Sequence, residues 1–144
     1  MKLGKRSKTL SLFGSVAAAG ALAIGAAPAH ADSGSAWYAA SLCGSGYRPL
    51  DSFNVGDSGR ATSSIYLSYN GGWDCVVTLK DIHVGTPTWT DATIGTDENN
   101  MNPDPGNYSY YAGPVYAYAP GTCIWWGGGD GDTGVYVEGP DHCN

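Results

Sequence analysis

The chain has 144 residues, 22 Gly, 8 Pro, 4 Cys and a formal net charge of −6, with 42% hydrophobic and 12% aromatic residues. Four of its seven Lys and Arg fall within the first eight residues, so the stretch from Asp32 onward sets three cations against all thirteen acids, a balance of −10. That charge repels phosphate backbones and anionic lipid surfaces, which argues against nucleic acid and membrane headgroups as partners.

Residues 1–31 read as a cleaved secretory signal peptide. Lys2, Lys5, Arg6 and Lys8 form a positive n-region, residues 10–25 form an uncharged apolar run, and Ala29-His30-Ala31 sets small residues three and one before a cut at Asp32. The apolar run is too short for a confident membrane span, so no membrane is expected after cleavage. Residues 32–144 are expected to form a single disulfide-stapled β domain, secreted outside the cell. Eleven of the thirteen acids there are Asp, which together with the Gly and Pro content predicts many turns and few helices.

In chain order, residues 32–41 read as a short tail carrying Trp37 and Tyr38, and Cys43-Gly44-Ser45-Gly46-Tyr47 as a tight entry into the fold. A first strand over 47–53 is interrupted at Pro49, and 54–59 reads as a turn. Residues 65–69 and 75–79 form the arms of a hairpin, rich in β-branched and aromatic side chains, around Asn70-Gly71-Gly72. A strand follows at 88–94, then a long polar loop over 95–107. Residues 108–111 and 115–119 read as two strands, with Tyr116 and Tyr118 on one face of the second and Val115, Ala117 and Ala119 on the other. After a turn at Pro120-Gly121 come a strand at 122–126, a flexible loop over 127–134 and a last strand at 135–138. About seven short strands bounded by turn residues predict an all-β fold, a small antiparallel β-sandwich or barrel.

All four cysteines lie in the exported part, where an oxidising compartment favours disulfides. Pairing Cys43 with Cys75 and Cys123 with Cys143 closes one moderate loop in each half. In the chain-entropy view each bond stabilises the fold by roughly 3–4 kcal/mol. There is no Cys-x-x-Cys, and His83 and His142 lack finger spacing, so neither a zinc site nor any cofactor is expected.

Asp97, Glu98, Asp104, Asp130 and Asp132 are the loop acids that could in principle pair for glycoside hydrolysis, but aspartates in such loops ordinarily shape turns. The oxygens of Asp97, Asn99, Asn100, Asn102 and Asp104 do not follow EF-hand spacing, and no Gly-x-Ser-x-Gly elbow is present. No catalytic or metal-binding residue is therefore assigned. The surplus lies in aromatics: all five Trp and all ten Tyr follow residue 32. Trp89, Trp126, Leu67, Val77, Val115 and Val135 are assigned to packing. Trp37, Trp73 and Trp125, with Tyr116 or Tyr118, are the candidate exposed binding anchors.

Cys43-Gly44-Ser45-Gly46-Tyr47, Tyr66-Leu67-Ser68-Tyr69-Asn70, Cys75-Val76-Val77-Thr78-Leu79, Tyr111-Ala112-Gly113-Pro114-Val115-Tyr116, and Cys123 with Trp126-Gly127-Gly128 carry a further signal. In these segments the chain resembles the spore-associated protein A family of actinobacterial secreted proteins. The resemblance spans most of the part after residue 31, departing from the family pattern at the acidic loop 97–104 and at Asp130-Gly131-Asp132. It implies a small secreted protein found with spores or aerial growth, and transfers no catalytic residue. Three classes stay open, in this order: a structural or interaction protein of the spore or cell surface; a glycan- or protein-binding module, including an inhibitor of a secreted hydrolase; and an enzyme. The partners considered are a cell-wall or spore-surface component, a secreted protein, or another copy of the chain through an unpaired strand edge.

Overall fold

The computed structural model describes residues 33–143, so the expected signal peptide and its expected cleavage position lie outside the described residues. Among the described residues one helix, α1 (Ser33–Cys43), precedes nine strands: β1 (Arg48–Asp57), β2 (Arg60–Asn70), β3 (Trp73–Lys80), β4 (Thr88–Gly95), β5 (Asn102–Pro103), β6 (Gly106–Tyr108), β7 (Tyr111–Tyr118), β8 (Ile124–Asp130) and β9 (Gly134–Asp141). They form two antiparallel sheets, one in the order β1-β2-β3-β7 and one in the order β5-β4-β8-β9, with β6 also on β4. The expected all-β fold, a small antiparallel sandwich or barrel, holds as two antiparallel sheets, with nine strands among the described residues in place of about seven because the long polar loop contributes β5 and most of β6.

Alternation along the strands builds the core. Ile65 and Leu67 of β2, Val76 of β3, Ala112 and Val115 of β7, Ala92 and Ile94 of β4, and Ile124 and Trp126 of β8 meet in one buried cluster. Phe53 packs edge-on to Trp126 at 5.0 Å. The opposite face of the first sheet is covered by α1, where Ala39 and Cys43 pack on Tyr66, Cys75 and Val77. Cys43 is bonded to Cys75 and Cys123 to Cys143, the pairing favoured on loop length. The first bond pins the helix end to β3, the second the end of the chain to the start of β8.

The β2–β3 hairpin forms where its sequence predicts, closed by two residues that both take positive φ, Gly71 at 57° and Gly72 at 91°. Glycine adopts both conformations without strain. Elsewhere the structure corrects the reading. The expected tail is α1, because Ala36, Ala39 and Ala40 offer helix-forming small residues that the sheet can bury. The expected turn at 54–59 narrows to two residues, since β1 runs on to Asp57. The strand expected at 108–111 is instead the end of β6, a bend and the start of β7.

The most consequential correction is at 127–134, read as flexible and found largely as strand. Gly127, Gly128 and Gly129 lie inside β8 because a Cβ on the first would strike the Tyr136 carbonyl, on the second the Thr78 hydroxyl, and on the third the Gly134 carbonyl. Glycine here serves close approach of backbones, not disorder. Two packing assignments also fail: Trp89 and Val135 are exposed, since Trp89 lies near the start of β4, ahead of its pairing with β8, and Val135 stands on the outermost strand of its sheet. Leu67, Val77, Val115 and Trp126 are buried as assigned.

Candidate interaction surface

The aromatic candidates converge through the register of β3 with β7. Trp73 lies directly opposite Tyr118, and Cys75 opposite Tyr116, so the outward-facing side chains of both strand ends form one patch beside the C-terminus of α1. The rings of Trp73 and Tyr118 are 5.1 Å apart at a tilt of 45°. Trp73 is 46% and Tyr118 59% exposed, although each contacts the other. The Tyr118 ring lies over the Gly71-Gly72 turn, where a Cβ on Gly72 would come within 3.0 Å of it.

Tyr116 extends the patch toward the helix. Its hydroxyl donates to the Cys43 carbonyl at 2.9 Å, satisfying an acceptor at the helix end, and its ring is 6.0 Å from Tyr47. Burial pushes the Tyr116 hydroxyl above its ordinary range, and burial, Tyr116 and Asp74 do the same to Tyr47. Both rings therefore present neutral phenols over the physiological pH range. Because Cys43 is itself bonded to Cys75 beneath Tyr116, the patch rests on a covalently braced floor.

Of the five anchors named from sequence, Trp73, Tyr116 and Tyr118 come together. Trp37 stands exposed on α1, and Trp125 is half-buried on β8 of the other sheet, against Gly139. Tyr47 was not among them; its only sequence signal is its position at the end of the glycine-rich entry, just before β1. Tyr110 and Tyr136 are also exposed aromatics outside the patch.

The loop acids hold backbone in place. Asp130 accepts from the amides of Asp132 and Thr133 and from the Thr133 hydroxyl. Burial raises its pKa, but these donors and the Thr62 and Ser63 hydroxyls outweigh that and hold it below the usual carboxylate range. Asp104 accepts from the Tyr108 hydroxyl and the Gly113 amide, and Asp97 from the Asn99 amide. His83 faces Asp132 at 3.5 Å, and His142 faces Asp51 at 3.0 Å. Among the described residues no group of three or more His, Cys, Asp or Glu is placed to hold a metal ion.

Asp74 is the unexpected acid. It sits on β3 between Trp73 and Cys75, is 0% exposed, and neither carboxyl oxygen has a hydrogen-bond partner. Burial pushes its pKa up to about 6, against a smaller opposing pull from His142.

A curated relative shares 37% identity over 123 residues, covering 83% of this chain and 76% of its own length: spore-associated protein A of Streptomyces coelicolor. The chain belongs to the spore-associated protein A family. Its predicted resemblance to that family is thereby established. No family model matches the chain, and no solved structure matches it. No helix among the described residues of this family member is long and apolar enough to cross a membrane.

Proposed function

We propose that this family member is exported after cleavage before Asp32 and acts at the spore or cell exterior as a non-catalytic interaction protein. The reading rests chiefly on the aromatic patch of Trp73, Tyr118, Tyr116 and Tyr47, displayed on a sheet face braced by the Cys43–Cys75 bond. Exposed, pre-positioned aromatic rings supply apolar contact area at low ordering cost, and the tyrosine hydroxyls add directional polar contacts. The relative's name supports a spore context, and the n-region, apolar run and Ala-x-Ala site support export. The partner class is a wall or spore-surface component or another secreted protein.

The test is cell fractionation of a strain carrying the chain, with N-terminal sequencing of the recovered protein. The expected protein starts at Asp32, fractionates with spores or walls, and is released into the medium when Trp73 and Tyr118 are both changed to Ala. Recovery in the cytoplasm with residue 1 intact, or retention of the double variant on spores, overturns the proposal.

A further inference from the structure

Charge is spread unevenly over this chain. Residues 33–47, 61–73, 75–79 and 105–129 contain no Asp, Glu, Lys or Arg, and Asp74, which falls between two of these stretches, is fully buried. They supply α1, β6, β7 and most of β2, β3 and β8. The face that carries the aromatic patch is therefore neutral, although the part from Asp32 onward has ten more acids than bases. Arg48, at its margin, is held over the Tyr69 ring at 5.5 Å, and alternation along β2 sets Tyr69 with Leu67 on the opposite face from Tyr66. The patch also runs on along β7. Tyr111 packs on the cluster of Tyr66, Cys75 and Val77, so it shares the face of Tyr116, which lies opposite Cys75. Tyr111, Tyr116 and Tyr118 thus form a row on the edge strand, roughly 20 Å long at about 3.4 Å for each residue.

We infer that this row and Trp73 bind an uncharged linear polysaccharide of glucose or N-acetylglucosamine type, a reading that rests on the patch being the interaction surface proposed above. Charge selects a neutral occupant. An anionic polymer is repelled by the chain as a whole, and a cationic partner gains most from acids that lie off this face. Side-chain type selects a sugar. On this face and on α1 the exposed large apolar side chains are Trp37, Tyr38, Trp73, Tyr116 and Tyr118, all aromatic, whereas the exposed Val84, Val135 and Val137 stand in the β3–β4 loop and on β9. A pyranose with equatorial substituents turns C–H groups toward an aromatic face and hydroxyls toward its rim, where the tyrosine hydroxyls and the exposed Asn70 amide hydrogen-bond them. Protein interfaces combine aromatics with Met and Arg; the uncharged stretches hold no Met, and Arg48 is engaged with Tyr69. The length of the row, open along an edge strand, suits several successive rings of a chain and not a single sugar.

The test is an NMR titration of the disulfide-bonded protein with cellohexaose, with chitohexaose in its N-acetylated form and, as an anionic counterpart, with hexagalacturonate, each to about 1 mM. Saturable binding of a neutral hexamer is expected, with shifts at β3, β7 and the end of α1, at least about tenfold tighter than that of the matching disaccharide. The affinity should be insensitive to salt, since no charge pair forms. Trp73→Ala and Tyr118→Ala should each weaken it at least about fivefold, and Val135→Ala on the other sheet should leave it unchanged. All three side chains are exposed, and the spectrum itself verifies the fold of each variant. No binding of either neutral hexamer, equal binding of hexagalacturonate, or full affinity in both folded aromatic variants overturns the inference. The bound hexamer is also expected to displace wild-type protein from washed spores, and protease treatment of the spores to leave its retention intact. Retention that protease abolishes and the hexamers do not overturns the sugar while keeping the patch as the spore-binding surface, whereas retention of the double alanine variant removes that surface itself.

Discussion

Replacing Asp74 with Asn probes a fully buried acid, the one among the described residues whose two oxygens both lack a partner. Its carboxyl is raised from an ordinary 3.8 to about 6 by burial, so the folded state prefers the neutral form. A raised carboxyl stabilises the fold fully below the unfolded value, and that contribution is lost as pH rises through the folded value. The window is therefore about pH 4 to pH 6, and the loss amounts to about 2–3 kcal/mol at 1.36 kcal/mol for each pH unit of displacement, the lower end allowing for partial screening. For a domain of this size that corresponds to a fall of about 10 °C in melting temperature. Chemical denaturation at half-unit intervals from pH 4 to pH 8 measures it directly. The Asn variant has no proton to lose, so its stability relative to wild type should climb by about 2–3 kcal/mol across the window and then level off. Parallel wild-type and variant profiles would refute the assignment of Asp74 as an acid whose pKa burial raises.

Other sites carry their own expectations. Lys80 is buried, and its Nζ donates to the carbonyls of His83, Thr86 and Tyr108; Lys80→Met should cost about 2–3 kcal/mol by urea titration and speed hydrogen exchange at the Gly85 amide, which bonds Ser109. Gly128→Ala should cost at least about 2 kcal/mol or prevent folding, because the added methyl meets Thr78 and the Asp91 carbonyl, whereas Gly131→Ala, with nothing nearer than 3.7 Å, should retain a near-wild-type melting curve. Removing the Cys43–Cys75 bond by double alanine substitution should cost about 3–4 kcal/mol in guanidinium unfolding and release the end of α1 that supports Tyr116.

Local chemistry made part of this fold legible. The Asn70-Gly71-Gly72 turn between β-branched arms specifies its hairpin, and period-two alternation puts Tyr116 and Tyr118 on one face before any contact is known. The disulfide pairing was also readable, from loop length. What escaped depends on partners distant in sequence. Residues 33–43 are helical because a sheet assembled from later residues buries Ala39 and Cys43. The glycines of β8 read as loop because the signal for strand is the crowding of Tyr136, Thr78 and Gly134 around them. Trp73 joins Tyr118 through the β3–β7 register, which no local window contains, and Tyr47 joins through Tyr116. Asp74 reads from sequence as one acid among many, since only the assembled sheet removes it from water.

Under the proposed function, the aromatic face of the first sheet is the surface that engages the spore exterior. An equilibrium binding isotherm on washed spores, comparing the wild-type protein with the Trp73→Ala, Tyr118→Ala double variant, tests this most directly. Saturable wild-type binding, weakened at least about tenfold in a variant that keeps its wild-type circular dichroism spectrum, is the predicted result, matching loss of a central aromatic pair. Superimposable isotherms would contradict the claim.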